Sequence, residues 1–129
     1  MEIPSDIRAA RQIEQRLLEA VSLHGYSEEC TFAIRLALEE ALTNAIKHGN
    51  GEDPGKCVQV RFDVDDERVM ITVRDQGKGF DSEGLPDPTA DENLEKPAGR
   101  GVMLMRAYTD ELTFRDQGRE VCMVKRKGG

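Results

Sequence analysis

The heptapeptide GNGEDPG, Gly49–Gly55, divides this chain into two parts with different hydrophobic periods. Three glycines and a proline make it a strong breaker of regular structure. Upstream, apolar residues recur every three or four positions, as one face of a helix requires. Ala10, Ile13, Leu17 and Val21 form the stripe of a first helix, capped by Ser5 or Asp6 and ended by Gly25. Ser27 caps a second helix that carries Glu28 and Glu29 in its first turn and runs to about His48. Downstream the period falls to two. Val58, Val60, Phe62 and Val64 alternate with polar residues, DDE makes a turn, and Val69, Ile71 and Val73 alternate again, which predicts an antiparallel hairpin.

After that hairpin comes DQGKGF, and then a segment at about 81–98 holding three prolines and six acidic residues, with Leu85 and Leu94 its only large apolar side chains. Such a segment cannot enter a core, and a loop this long in a small domain is disordered or functional, often a lid. Within it, Thr89 and Glu92 have capping-box spacing for one helical turn, which Pro97 is expected to end. A third helix is expected from about Gly101 to Tyr108, followed by a second hairpin, ELTF and EVCMVK, around DQG. The order α, α, β, β, lid, α, β, β predicts one α+β domain over 1–129. Its architecture is a two-layer sandwich, with a mixed but mostly antiparallel sheet and three helices on one face.

Charge and composition narrow the function classes. Eighteen basic against 25 acidic residues leave a net charge of −7, unsuited to nonspecific binding of nucleic acid or an anionic membrane. No run of 18 apolar residues offers a membrane span, and the first twelve residues lack the apolar core of a signal peptide; the expected location is the cytoplasm. Cys30, Cys57 and Cys122 have no metal-ligand spacing and read as reduced, mostly buried thiols. With no Trp and six other aromatic residues, there is no stacking platform for single-stranded nucleic acid.

The second helix carries the first candidate chemistry. At about 100° per residue, Ile34, Leu38, Ala41, Leu42 and Ala45 share one side, and Arg35, Glu39 and Thr43 a solvent-like side. Ala33, Ala37, Glu40 and Asn44 form a third stripe, on which two small residues leave room beside a carboxylate and an amide one turn apart. Taken alone, Glu40 and Asn44 read as solvated. In a site, an amide can help hold Mg2+ and a carboxylate can orient a hydroxyl. Lys47 and His48 read as charges at the helix C-terminus.

Two glycine motifs follow. DQGKGF places Asp75, Gly77 and Gly79 directly after a strand, where a flexible turn is the bland reading. GRG, at Gly99, Arg100 and Gly101, opens a helix whose free N–H groups and dipole favour an anion, with the Arg100 guanidinium beside them. Neither is a GxxxxGK[ST] loop or a dinucleotide fingerprint.

In combination these motifs are specific. A helix with EEALTNAIKHG, a strand ending in DQGKGF, an acidic lid and then GRGVMLM resemble the N, G1 and G2 boxes of the GHKL ATP-binding superfamily. TNAIKHG and the compact length look most like its anti-sigma factor serine kinase branch. The resemblance covers about 27–125. It implies the Bergerat ATP-binding fold and a chain complete as a kinase. It implies Glu40 as general base or hydroxyl-orienting group, Asn44 as the Mg2+ ligand, and Asp75 as acceptor for the adenine amino group. Gly77 and Gly79 would admit the backbone close to the nucleotide, and Gly99 and Gly101 would do so at the phosphates. Arg100 matches no universal family residue and is assigned to the phosphates on electrostatic grounds. The implied reaction is ATP-dependent phosphorylation of a serine on a STAS-domain anti-sigma antagonist, with a sigma factor or another regulator as alternate partner and a homodimer as the usual assembly. GREVCMV offers no Ser or Thr near the start of the last strand, where many members support the adenine site, and the family's N-terminal strand is shortened to MEIP. The alternative is a non-catalytic nucleotide-sensing partner-switch module that regulates by protein binding alone.

Overall fold

The computed structural model describes residues 1–77 and 97–128, with the backbone alone for 97–100. The elements run β1 (Glu2–Pro4), α1 (Ile7–Leu23), α2 (Glu28–Thr43), a π-helical turn (Asn44–Gly49), β2 (Cys57–Val64), β3 (Arg68–Arg74), α3 (Pro97–Tyr108), β4 (Glu111–Arg115) and β5 (Glu120–Arg126). Among the described residues the five strands form one sheet in the order β1–β2–β3–β5–β4, and every pairing is antiparallel. The sheet is therefore not mixed, and the α+β two-layer arrangement stands.

The period-two pattern fixes the register. Val60 pairs with Val73, Phe62 with Ile71 and Val64 with Val69, while Val121 and Met123 of β5 face Val73 and Ile71. This apolar face meets the buried stripes of the helices: Ala10, Ile13, Leu17 and Val21 from α1, and Ile34, Leu38, Ala41 and Leu42 from α2. Burying each large aliphatic side chain contributes about 2 kcal/mol. Along β2 the opposite face is polar, with Gln59, Arg61 and Asp63 exposed.

Local signals set the ends. Asp6, not Ser5, caps α1, accepting from the Arg8 N–H at 2.9 Å. Ser27 caps α2 through the Cys30 N–H at 3.1 Å. Gly25, at φ +72°, makes the left-handed turn between these helices. MEIP does form a strand: Ile3 pairs with Val58 and is buried.

Two expectations are corrected. The second helix does not run unbroken to His48. It is α-helical to Thr43 and then widens, with the Asn50 N–H reaching back five residues to the Ala45 carbonyl at 2.8 Å. The third helix starts at Pro97, not near Gly101, so the last two residues of the expected lid belong to α3. Proline suits a first helical position, where its missing N–H would have no partner; Pro97 opens a helix, and the turn that it was expected to end lies outside the described residues. The rest of the lid, including Thr89 and Glu92, lies outside the described residues. Of the three thiols only Cys30 is fully buried. No helix among the described residues is long and apolar enough to cross a membrane.

Candidate functional site

One wall comes from α2, along which α3 packs. Ala33 and Ala37 are buried, whereas Glu40 and Asn44, one and two turns on, are half-buried. A Cβ on Gly101 would lie 3.6 Å from Glu40 Oε2, so the beginning of α3 adjoins the carboxylate. The Asn44 Oδ1 atom is buried and has no hydrogen-bond partner among the described residues. Leaving such an acceptor unpaired costs about 1–3 kcal/mol, which a ligand able to use the oxygen recovers. Asn44 is also the first residue of the π-helical turn, a distortion that recurs at functional sites.

The π-helical turn joins this wall to the second. By widening it carries Gly49 against Asp75 at the end of β3: a Cβ on Gly49 would fall 2.7 Å from Asp75 Oδ1 and closer still to Cγ and Oδ2. Gly77 has no more room, since a Cβ there would overlap the Gly49 carbonyl oxygen. Asp75 is only 7 % exposed, and its Oδ1 accepts from the Gly77 N–H at 2.8 Å. Burial pushes its carboxyl above the usual carboxylate range; the Gly77 N–H and the nearby Arg119, Arg74 and Lys56 charges oppose that shift.

A ring of polar contacts fixes this corner. The buried Asn50 donates from Nδ2 to Ser5 Oγ at 2.9 Å and to the Cys57 carbonyl at 3.0 Å, and its Oδ1 accepts from the Gln76 N–H at 2.7 Å. Gln76 Oε1 accepts in turn from the Cys57 N–H at 2.8 Å. Arg119 donates from Nε to the Gly77 carbonyl at 2.8 Å.

The expected site residues therefore fall into two groups. Glu40 and Gly101 come together where α2 meets α3, with Asn44 one turn beyond Glu40, and Asp75 and Gly77 form the turn after β3. Gly99 and Arg100 lie within the first turn of α3, not ahead of it, and the Arg100 side chain and Gly79 lie outside the described residues. The helix mouth thus sits at Pro97, and the N–H groups of Ala98, Gly99 and Arg100 have no i−4 partner within the helix. His48 and Lys47 are exposed at the helix end, as expected. Glu39 departs from expectation: it is half-buried and shares Arg35 with Glu14 of α1, at 3.7 and 3.8 Å.

Among the described residues no group of three or more His, Cys, Asp or Glu side chains is placed to hold a metal. A cation that keeps its waters and takes phosphate oxygens needs few protein ligands, and the unpartnered Asn44 Oδ1 fits such an ion. The contributions of Gly49, Asn50 and Arg119 were not read from the sequence. GNG signalled only a break in structure, and the contact of Arg119 with Gly77 depends on the register of β5 against β3.

Residues 3–125 match the histidine kinase-like ATPase domain family. The chain is 37% identical to the serine-protein kinase RsbW of Bacillus licheniformis over 110 residues, covering 78% of this chain and 68% of that protein. It is 30% identical to the serine-protein kinase RsbW of Bacillus subtilis (strain 168), covering 100% and 85%. In fold it is similar to the RsbU and RsbW domains of a Mycobacterium tuberculosis protein, with a TM-score of 0.61 at 19% identity over 98% of this chain and 31% of the other. A histidine kinase domain from Erythrobacter litoralis gives a TM-score of 0.59 at 22% identity, over 98% and 62%. The chain belongs to the histidine kinase-like ATPase domain family, in the branch of the RsbW serine-protein kinases.

Proposed function

We propose that the chain is an ATP- and Mg2+-dependent protein serine kinase that acts as an anti-sigma regulatory factor in the cytoplasm. Its substrate would be a serine hydroxyl on a STAS-domain antagonist, its alternate partner a sigma factor or another regulator, and its working form a homodimer. The observation that carries the reading is a buried Asn44 Oδ1 with no partner among the described residues, one turn beyond the half-buried Glu40 of α2, which itself adjoins Gly101 of α3.

ATP is the second substrate, and bound Mg2+ would neutralise phosphate charge. Asp75, held by the Gly77 N–H, would accept a hydrogen bond from the adenine amino group. Asn44 Oδ1 would be the protein ligand of the metal. The N–H groups of the first turn of α3 at Gly99, with Gly101 and the Arg100 guanidinium, would hold phosphate oxygens, and Gly79 would line the nucleotide. Glu40 would orient the serine hydroxyl and take its proton as the oxygen bonds to the γ-phosphorus and ADP leaves. Positioning and charge neutralisation supply most of such catalysis.

The test is titration of MgATP followed by calorimetry, with phosphate transfer to a cognate serine protein measured in parallel. Binding by the wild type, with Glu40→Ala retaining that binding but losing transfer at least about 100-fold, is the expected result. Normal transfer by Glu40→Ala removes it as the base. Absence of binding at millimolar nucleotide sinks the kinase reading in favour of the partner-switch module, which one observation supports: β5 sets Val121, not a hydroxyl, opposite Val73 next to the Asp75 turn.

A further inference from the structure

We propose that Arg119 is a positioning residue for the nucleotide site, holding the Asp75–Gly77 turn in the geometry that presents Asp75 to an adenine base. The proposal rests on the nucleotide-binding reading above and concerns a residue that lies outside all three glycine and asparagine motifs.

Three contacts close a loop between β5 and the end of β3. The Asp75 N–H donates to the Arg119 carbonyl at 2.9 Å. Arg119 Nε donates to the Gly77 carbonyl at 2.8 Å. The Gly77 N–H donates to Asp75 Oδ1 at 2.8 Å. Arg119 thus grips both ends of the three-residue turn, by its main chain at Asp75 and by its side chain at Gly77. Glycine has no side chain to restrain its backbone rotation. The contact on the Gly77 carbonyl restrains that rotation, and with it the adjoining N–H that orients the Asp75 carboxylate.

The grip is itself braced. The β4–β5 turn carries three successive left-handed residues, Asp116 at φ +51°, Gln117 at +56° and Gly118 at +82°. This turn brings the Arg119 N–H to the Asp116 carbonyl at 3.1 Å and Arg119 Nη1 to Asp116 Oδ1 at 3.3 Å. The other Asp116 oxygen binds Arg74 Nη2. The fork of the guanidinium allows Asp116 and Gly77 to be held at once, which a lysine ammonium on a flexible stem does not reproduce. Arg119 also places a positive charge near the buried Asp75, with Arg74 and Lys56 the other cations that act on it among the described residues.

The experiment compares wild type, Arg119→Met and Arg119→Lys in two measurements. In the ligand-free protein, exchange of the Gly77 amide proton and titration of the Asp75 carboxyl are followed by NMR. Calorimetry then gives affinities for adenosine and MgATP. Arg119→Met should accelerate Gly77 exchange and raise the Asp75 midpoint. It should weaken adenosine and MgATP equally, about tenfold. Arg119→Lys should recover the Asp75 midpoint but only part of the affinity. Unchanged Gly77 exchange and unchanged affinities in Arg119→Met overturn the proposal while leaving nucleotide binding intact. A wild type that binds neither ligand overturns the nucleotide reading instead, and the ligand-free NMR then decides on its own whether Arg119 holds the turn.

Discussion

Gly49 lies flat against the Asp75 carboxylate, with no space between them for a methyl group. The π-helical turn and the end of β3 are locked together at this point. Gly49→Ala should therefore destabilise the fold by about 3 kcal/mol and weaken nucleotide binding by displacing Asp75. Urea denaturation measures the first effect and calorimetry the second. A variant with wild-type stability would show that the two elements separate easily.

Asn44→Ala should behave in the opposite way. It removes a buried acceptor with no partner among the described residues, so stability should hold or rise by up to about 1 kcal/mol. Its affinity for MgATP should fall about tenfold while that for adenosine is kept. Loss of both affinities alike would place Asn44 away from the metal.

Asn50→Ala should cost about 2–3 kcal/mol, because Ser5, Cys57 and Gln76 all lose a bond inside a closed corner. The loss should appear in thermal unfolding of the ligand-free protein. A change below about 0.5 kcal/mol would mean that water enters and replaces the amide.

Glu14 predicts a pH dependence. Burial, with the hydrogen bond and charge of Glu39 next to it, pushes its carboxyl up to about 7 against the pull of Arg35 and Arg11. A carboxyl raised in the folded state adds stability below its unfolded value, near 4.5, and loses that stability as pH climbs through about 7. Glu14→Gln cannot ionise and should match wild type near pH 5 while exceeding it by about 1–2 kcal/mol at pH 8.5. Equal stabilities at both pH values would show that Glu14 titrates as an exposed carboxylate does.

Both hairpins and two helix starts were legible because they rest on local chemistry: alternation at Val58–Val64 and Val69–Val73, and caps whose oxygens meet N–H groups two or three residues away. Glu40, Asn44, Asp75 and Gly77 were legible as motifs. Their division into two walls was not, since it depends on how α3 and β3 approach α2. The π-helical turn left no trace in the side-chain pattern: Ala45 and Ile46 are buried as they would be in an ordinary helix. The start of α3 was misjudged because GRG outweighed Pro97, a residue that both ends and begins helices. Asn50 bonds Ser5 and Gln76, 45 and 26 residues away in the chain, and Arg119 bonds Gly77, 42 residues away; single-sequence patterns do not encode such pairs.

The π-helical turn also constrains how this segment tolerates change in length. Between Asn44 and Asn50 the backbone holds one residue more than an α-helical path would need. Removing one of them would let the backbone close into the commoner winding and leave the breaker facing nearly as before, whereas removing a residue from the α-helical part of α2 would rotate everything after it by about 100°. A segment transplanted here from a relative can therefore be one residue shorter, provided that it keeps Asn44 at one end and Gly49, which fits under Asp75, at the other: at this junction the end residues are bound more strictly than the length between them.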